Sequence, residues 1–117
     1  MLKEAPQQAG GAARTDADPV WRCAACGAEI ARARDRILLD GASTRTFVNP
    51  EGIEYVITGF RDAPGCSEVS DPSPYWSWFP GCAWQVSLCR ACSAHLGWRF
   101  SGAASFHGLI VDRLTAP

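Results

Sequence analysis

The chain has 117 residues and a formal net charge of -1, enough for one domain and too few for two. Hydrophobic residues make up 47% and charged residues 20%, an ordinary globular balance with no basic excess to draw it to nucleic acid. No apolar run approaches the roughly 20 residues that cross a bilayer, and a core of this size is modest enough that a metal staple would matter.

Residues 1–19 are rich in Ala, Gly, Gln and Pro and contain no aromatic residue. Such a stretch cannot bury enough apolar surface to offset its ordering entropy, so a disordered tail is expected. It also lacks an apolar segment long enough for a secretory signal, so a cytoplasmic location is expected. The domain is expected over residues 20–117. In a reducing compartment, Cys-x-x-Cys pairs read as metal ligands before they read as disulfides.

The first pair, Cys23 and Cys26, is followed by Gly27, which permits a tight knuckle. Ala28 to Arg36 carries helical residue types but is short and charged, and is expected to form one or two helical turns with its arginines solvated. Thr44 to Val48 and Ile53 to Phe60 read as strands joined by Asn49-Pro50-Glu51-Gly52, a turn signal, and so as a hairpin. Arg61 to Pro74, with three prolines, reads as a long loop. Tyr75 to Phe79 is expected as a strand before the Pro80-Gly81 turn. In the next strand Trp84, Val86 and Leu88 alternate with Gln85 and Ser87. After the second pair, Cys89 and Cys92, residues Leu96, Trp98 and Phe100 alternate with His95, Gly97 and Arg99. Phe106 to Leu114 closes the domain. The pattern predicts an all-β, antiparallel domain of six to eight short strands.

Two Cys-x-x-Cys pairs supply the four ligands that tetrahedral zinc needs, so Cys23, Cys26, Cys89 and Cys92 are expected to hold one structural Zn²⁺. The pairs lie far apart in the chain, so the ion must join distant parts of the fold. A four-thiolate shell leaves no open position for catalysis. Cys66 and Cys82 fall outside this set and read as small thiols, and His95 as an ordinary polar residue.

Trp78, Trp84 and Trp98, with Phe100, are a costly filling for a small core, because a buried indole N–H needs a partner. Tryptophan walls suit an amphipathic guest, packing on its apolar face while backbone groups meet its polar edge.

These residues carry a resemblance. Cys23-x-x-Cys26-Gly27, Asn49-Pro50, Trp76-Ser77-Trp78-Phe79-Pro80-Gly81-x-Ala83-Trp84, Cys89-x-x-Cys92, His95-Leu96-Gly97-Trp98-Arg99-Phe100 and Gly108-Leu109 resemble the thalidomide-binding domain of cereblon, the CULT domain. They are most like its small stand-alone bacterial members. The resemblance covers residues 20–115. It implies a β-tent fold, two antiparallel sheets pinched at a zinc, and a cage for cyclic imides such as glutarimide, thalidomide-type compounds and uracil-like rings. It implies that Trp78, Trp84 and Trp98 wall the cage and that Phe100 forms its floor. It further implies that the backbone at Trp76 and Trp78, with Ser77 between them, meets the imide, and that Asn49 and Pro50 close one rim. Two departures stand out: Trp76 replaces a histidine and Cys82 a tyrosine. No stretch resembles a ligase-adaptor or protease-like region, so a ligase role is not implied.

The expected function is therefore a non-enzymatic, monomeric module for a cyclic imide or pyrimidine-like ligand, free or at a protein C-terminus, with no nucleic-acid or membrane partner. One alternative is a methionine-sulfoxide-reductase-B-like enzyme, but no cysteine follows Cys92 to act as nucleophile. The other is a reader of methylated ammonium groups, which often adds a carboxylate to its aromatic cage. Residues 76–100 contain no Asp or Glu.

Overall fold

The computed structural model describes residues 18–117, so the tail reading for residues 1–17 lies outside the described residues. Among the described residues ten strands follow one another: β1 (Val20–Cys23), β2 (Glu29–Arg32), β3 (Arg36–Ile37), β4 (Thr44–Val48), β5 (Glu54–Phe60), β6 (Cys66–Glu68), β7 (Cys82–Cys89), β8 (His95–Gly102), β9 (Phe106–Ile110) and β10 (Leu114–Thr115). They form two antiparallel sheets. The larger runs β3-β5-β9-β8-β7-β6, with β4 also paired to β5, and the smaller runs β10-β1-β2.

Period-two patterning gives the large sheet two apolar faces. On β9, Leu109 joins a cluster with Cys23, Ile30, Phe60, Cys66, Cys89 and Leu96, against which Trp21 packs. Its neighbours Phe106 and Ile110 join a second cluster with Leu39, Ile57, Phe79, Cys82 and Phe100. The first cluster lies under the small sheet and the cysteine knuckles. The second carries the partly buried rings of Phe47, Tyr55, Trp78, Trp84 and Trp98.

Several local expectations are corrected. Ala28–Arg36 holds a single helical turn, the 3-10 turn Ala33–Asp35, and its first part is strand β2. Strand pairing to β1 and burial of Ile30 and Ala31 outweigh the helical propensity of the segment. The long loop contains β6, paired to β7 through Cys66↔Cys89 and Glu68↔Ser87. Tyr75–Phe79 is not a strand: Trp76 sits at φ 55, which no strand allows, and Ser77 N–H turns back to the Pro74 carbonyl at 3.3 Å. The closing segment breaks after Ile110 into a 3-10 turn, Val111–Arg113, before β10 crosses to the small sheet.

The alternation in β8 is also interrupted. The β7–β8 register passes from Ser87↔Gly97 to Leu88↔His95, so Leu96 is the extra residue of a β-bulge. Gly97 occupies φ 154, and a Cβ there would stand 2.3 Å from the Gly108 carbonyl oxygen. The bulge turns Leu96 into the cluster under the small sheet. His95 instead joins Trp98 and Phe100 on the opposite face.

Candidate functional site

The two knuckles have the same backbone. Gly27 N–H donates to Cys23 O and Ser93 N–H to Cys89 O, both at 2.8 Å. Cys23 N–H donates to Ala28 O at 2.9 Å and Cys89 N–H to Ala94 O at 2.8 Å. Each knuckle needs a left-handed residue at its fifth position, filled by Gly27 at φ 80 and Ser93 at φ 67. This explains why the second knuckle manages without a glycine, at a conformational cost of about 1 kcal/mol.

These turns bring the sulfurs of Cys23, Cys26, Cys89 and Cys92 within 4.8 Å of one another. Cys23 Sγ stands 3.7 Å from Cys92 Sγ, and Cys26 Sγ 3.7 Å from Cys89 Sγ. Four sulfurs each about 2.3 Å from one ion stand about 3.8 Å apart in a tetrahedron. The cluster is a structural zinc site by geometry and by donor set. It pins β1 of the small sheet to β7 of the large one. Cys66 is buried beside it, 2% exposed, and burial foremost, with Glu68 next, pushes its thiol up to about 12. Cys82 is buried on the other face, with its Sγ directed at the Ala104 carbonyl at 3.8 Å.

The opposite face of the large sheet carries a cavity of about 360 Å³. Trp78, Trp84, Trp98 and Phe100 line it together with Asn49, Pro50, Glu51, Tyr55, Tyr75, Trp76, Val86 and His95. Trp78 and Trp98 meet edge to face, with centroids 4.8 Å apart at 75°, forming a corner. Phe47 stacks behind Trp78 at 5.0 Å, and Tyr55 braces Trp98 at 5.1 Å. Two of the wall indoles have their N–H bonded: Trp78 Nε1 donates to Val48 O at 3.0 Å and Trp84 Nε1 to Tyr75 O at 2.7 Å. Trp76 Nε1 also reaches Val48 O, at 3.3 Å. These bonds meet the polar demand of the indoles and fix the planes of the rings.

The loop over Trp76–Trp78 leaves backbone groups unused. Among the described residues, the amides and carbonyls of Trp76 and Trp78 have no hydrogen-bond partner within the fold. Ser77 does not line the cavity; its hydroxyl accepts from Phe79 N–H at 3.3 Å and donates to Phe79 O at 3.1 Å. Asn49 Oδ1 accepts from the amides of Glu51 and Ile53 at 3.0 and 2.9 Å, an Asx-type arrangement that builds the hairpin turn.

Sequence reasoning missed five residues of this wall: Glu51, Tyr55, Tyr75, Val86 and His95. His95 meets Trp98 edge to face at 4.9 Å, and its Nε2 donates to Gly97 O at 3.0 Å. Burial is the main cause holding its pKa below 6.5. The bulge that places it has no period-two signature. Glu51 comes from the β4–β5 turn, and Asn49 Nδ2 donates to its Oε1 at 3.0 Å. A wall without a carboxylate, expected from residues 76–100 alone, is therefore corrected: the hairpin brings one in.

The chain is similar in sequence to known proteins. Over 86 residues, 71% of this chain, it is 36% identical to the protein cereblon of Drosophila melanogaster, of which the match covers 15%. Over 55 residues, 47% of the chain, it is 42% identical to the cereblons of Danio rerio and Xenopus tropicalis, of which the matches cover 13% and 12%. The chain therefore spans only a small part of the length of these relatives. No family model matches. No helix among the described residues is long and apolar enough to cross a membrane.

Proposed function

We propose, from the premise that this chain is a CULT-like cereblon domain, that it is a non-enzymatic binding module for a small cyclic imide or uracil-like ring. The ring is held either free or at the C-terminus of a protein. One observation carries the reading: a three-tryptophan corner over Phe100, bordered by unused amides and carbonyls at Trp76 and Trp78. A planar, neutral imide presents two apolar faces and an edge of alternating acceptor, donor and acceptor. The walls take the faces, and the loop backbone takes the edge.

Magnitudes favour a cage over a groove. A glutarimide of about eight heavy atoms gains at most about 12 kcal/mol at about 1.5 kcal/mol per atom, and micromolar binding needs about 8 kcal/mol. Nearly every atom must be in contact, as a corner allows and a flat surface does not. Both spare thiols, Cys66 and Cys82, are buried and do not line the cavity. A second reading, recognition of a methylated ammonium group, gains support from Glu51 in the wall.

The test is a calorimetric titration of the full chain with glutarimide, N-methylglutarimide, uracil and tetramethylammonium. Glutarimide is expected to bind best, and methylation to weaken it by leaving a buried acceptor unpaired. Trp98→Ala is expected to cost about 2 kcal/mol or more, as interface anchors do. Folded Trp84→Ala and Trp98→Ala variants that bind glutarimide as tightly as the parent would show that these rings are only core packing.

A further inference from the structure

Glu51 is the single anionic side chain among the described residues of the cavity wall. Its position is fixed on two sides. Its backbone amide donates to Asn49 Oδ1 at 3.0 Å, and its Oε1 accepts from Asn49 Nδ2 at 3.0 Å. The second carboxylate oxygen has no hydrogen-bond partner among the described residues. Among the described residues no cation forms an ion pair with it: Arg45, the arginine nearest in sequence, faces Asp40 at 3.9 Å and lies over the Phe47 ring. His95, the other titratable wall residue besides the tyrosines, has its pKa lowered, chiefly by burial.

The charge is placed at the mouth and not in the depth. Glu51 is solvent-exposed, as are Tyr75 and Trp76, 66% and 56% exposed, which line the same cavity. The depth is formed by tryptophan faces and Phe100, where a bare cation would lose its hydration with no buried anion to replace it. A neutral ring belongs inside and a positive charge outside, between a carboxylate and two exposed aromatic faces.

We propose that Glu51 is a specificity-determining residue. Among cyclic imides and uracil-like rings, it selects those whose exocyclic arm carries a protonated amine over those with a neutral or anionic arm. This rests on the imide-module reading above and names the ligand class within it.

The experiment uses the full chain and three glutarimides bearing propyl, aminopropyl and carboxyethyl arms, titrated by calorimetry at low salt. The ammonium compound is expected to bind about fivefold more tightly than the propyl compound, the scale of one exposed ion pair with cation–π support. The carboxylate compound is expected to bind more weakly than the propyl one. Raising ionic strength should shrink the preference, because screening acts on exposed charges. Glu51→Gln keeps an acceptor for Asn49 and should bring the ammonium-to-propyl ratio to about one, with an unchanged circular dichroism spectrum showing that the turn survives. A ratio of one in the parent, or a preference that survives Glu51→Gln, overturns the inference while leaving the module standing. Failure of all three glutarimides to bind overturns both. Tetramethylammonium binding as tightly as the ammonium imide overturns the inference as well, since the ring would then not be what is recognised.

Discussion

Trp78 donates its indole N–H to the carbonyl oxygen of Val48 at 3.0 Å, so one wall of the cavity is fixed to the last residue of an edge strand. Trp76 converges on the same oxygen. The 73–79 loop and the β4–β5 hairpin thus share one acceptor, and the planes of two indoles depend on it.

Trp78→Phe keeps an aromatic face toward Phe47 and Trp98 but removes this donor. The expected stability loss is about 1 kcal/mol, the net worth of one hydrogen bond. Ring binding is expected to suffer more than stability, because an untethered wall must be ordered by the guest. Chemical denaturation beside calorimetry separates the two effects. Equal losses in both would show that the bond serves stability alone.

The metal carries folding free energy, since β1 and β7 meet through it. Elemental analysis is expected to find one zinc per chain. Cys89→Ala is expected to lose both zinc and the cooperative thermal transition. A well-folded protein without zinc would contradict this account.

Gly97→Ala tests the bulge. Its Cβ would stand 2.3 Å from Gly108 O and 2.8 Å from Leu109 Cα, backbone atoms that cannot step aside cheaply. A loss of about 2–3 kcal/mol is expected, in the range of overpacking combined with backbone strain. Because the bulge sets which face His95 and Trp98 occupy, near-ultraviolet circular dichroism of the tryptophans should change as well. A melting temperature equal to the parent's would show that β8 tolerates a regular register.

Acid should weaken the fold through His107. It is 6% exposed, and its Nδ1 has no partner among the described residues. Burial, the main cause, lowers its pKa below 6.5; Arg99 lowers it too, while Glu68 and Asp62 act the other way. In the unfolded chain the ring takes up a proton as pH falls through 6.5, and the folded chain resists doing so. Stability is therefore full above about pH 6.5 and declines below it, by at most about 1.4 kcal/mol per pH unit for this group. His107→Gln should flatten the slope of melting temperature between pH 7.5 and 5.5, compared at equal zinc content. An identical slope would exclude this histidine as the source.

The parts of the fold legible in the sequence were those written in short-range chemistry. The cysteine pairs and the Asn49–Gly52 turn each depend on residues a few positions apart. The bulge at Leu96 was not legible, because it arises from pairing with Ser87 and Leu88 and leaves the local pattern apparently regular. The Tyr75–Phe79 loop read as a strand because its aromatic residues favour strands. What keeps it out of a sheet is a left-handed Trp76 and indole bonds to a carbonyl 28 and 30 positions earlier. Glu51 was missed for a related reason: the tryptophan-rich stretch that drew attention to the cavity does not contain its charge.

The two knuckles turn much of the domain into a ring closed by an ion. Trp78 and Trp84 lie on the ring between Cys26 and Cys89, whereas Trp98 and Phe100 lie beyond its closure, on the strand that leaves Cys92. A guest held by both pairs resists any opening that separates them, and the ion leaves most readily from such an open form. Occupancy of the cavity by such a guest would then be thermodynamically linked to retention of zinc, each raising the other. The rate at which a chelator strips the metal would report on a ligand that never touches it.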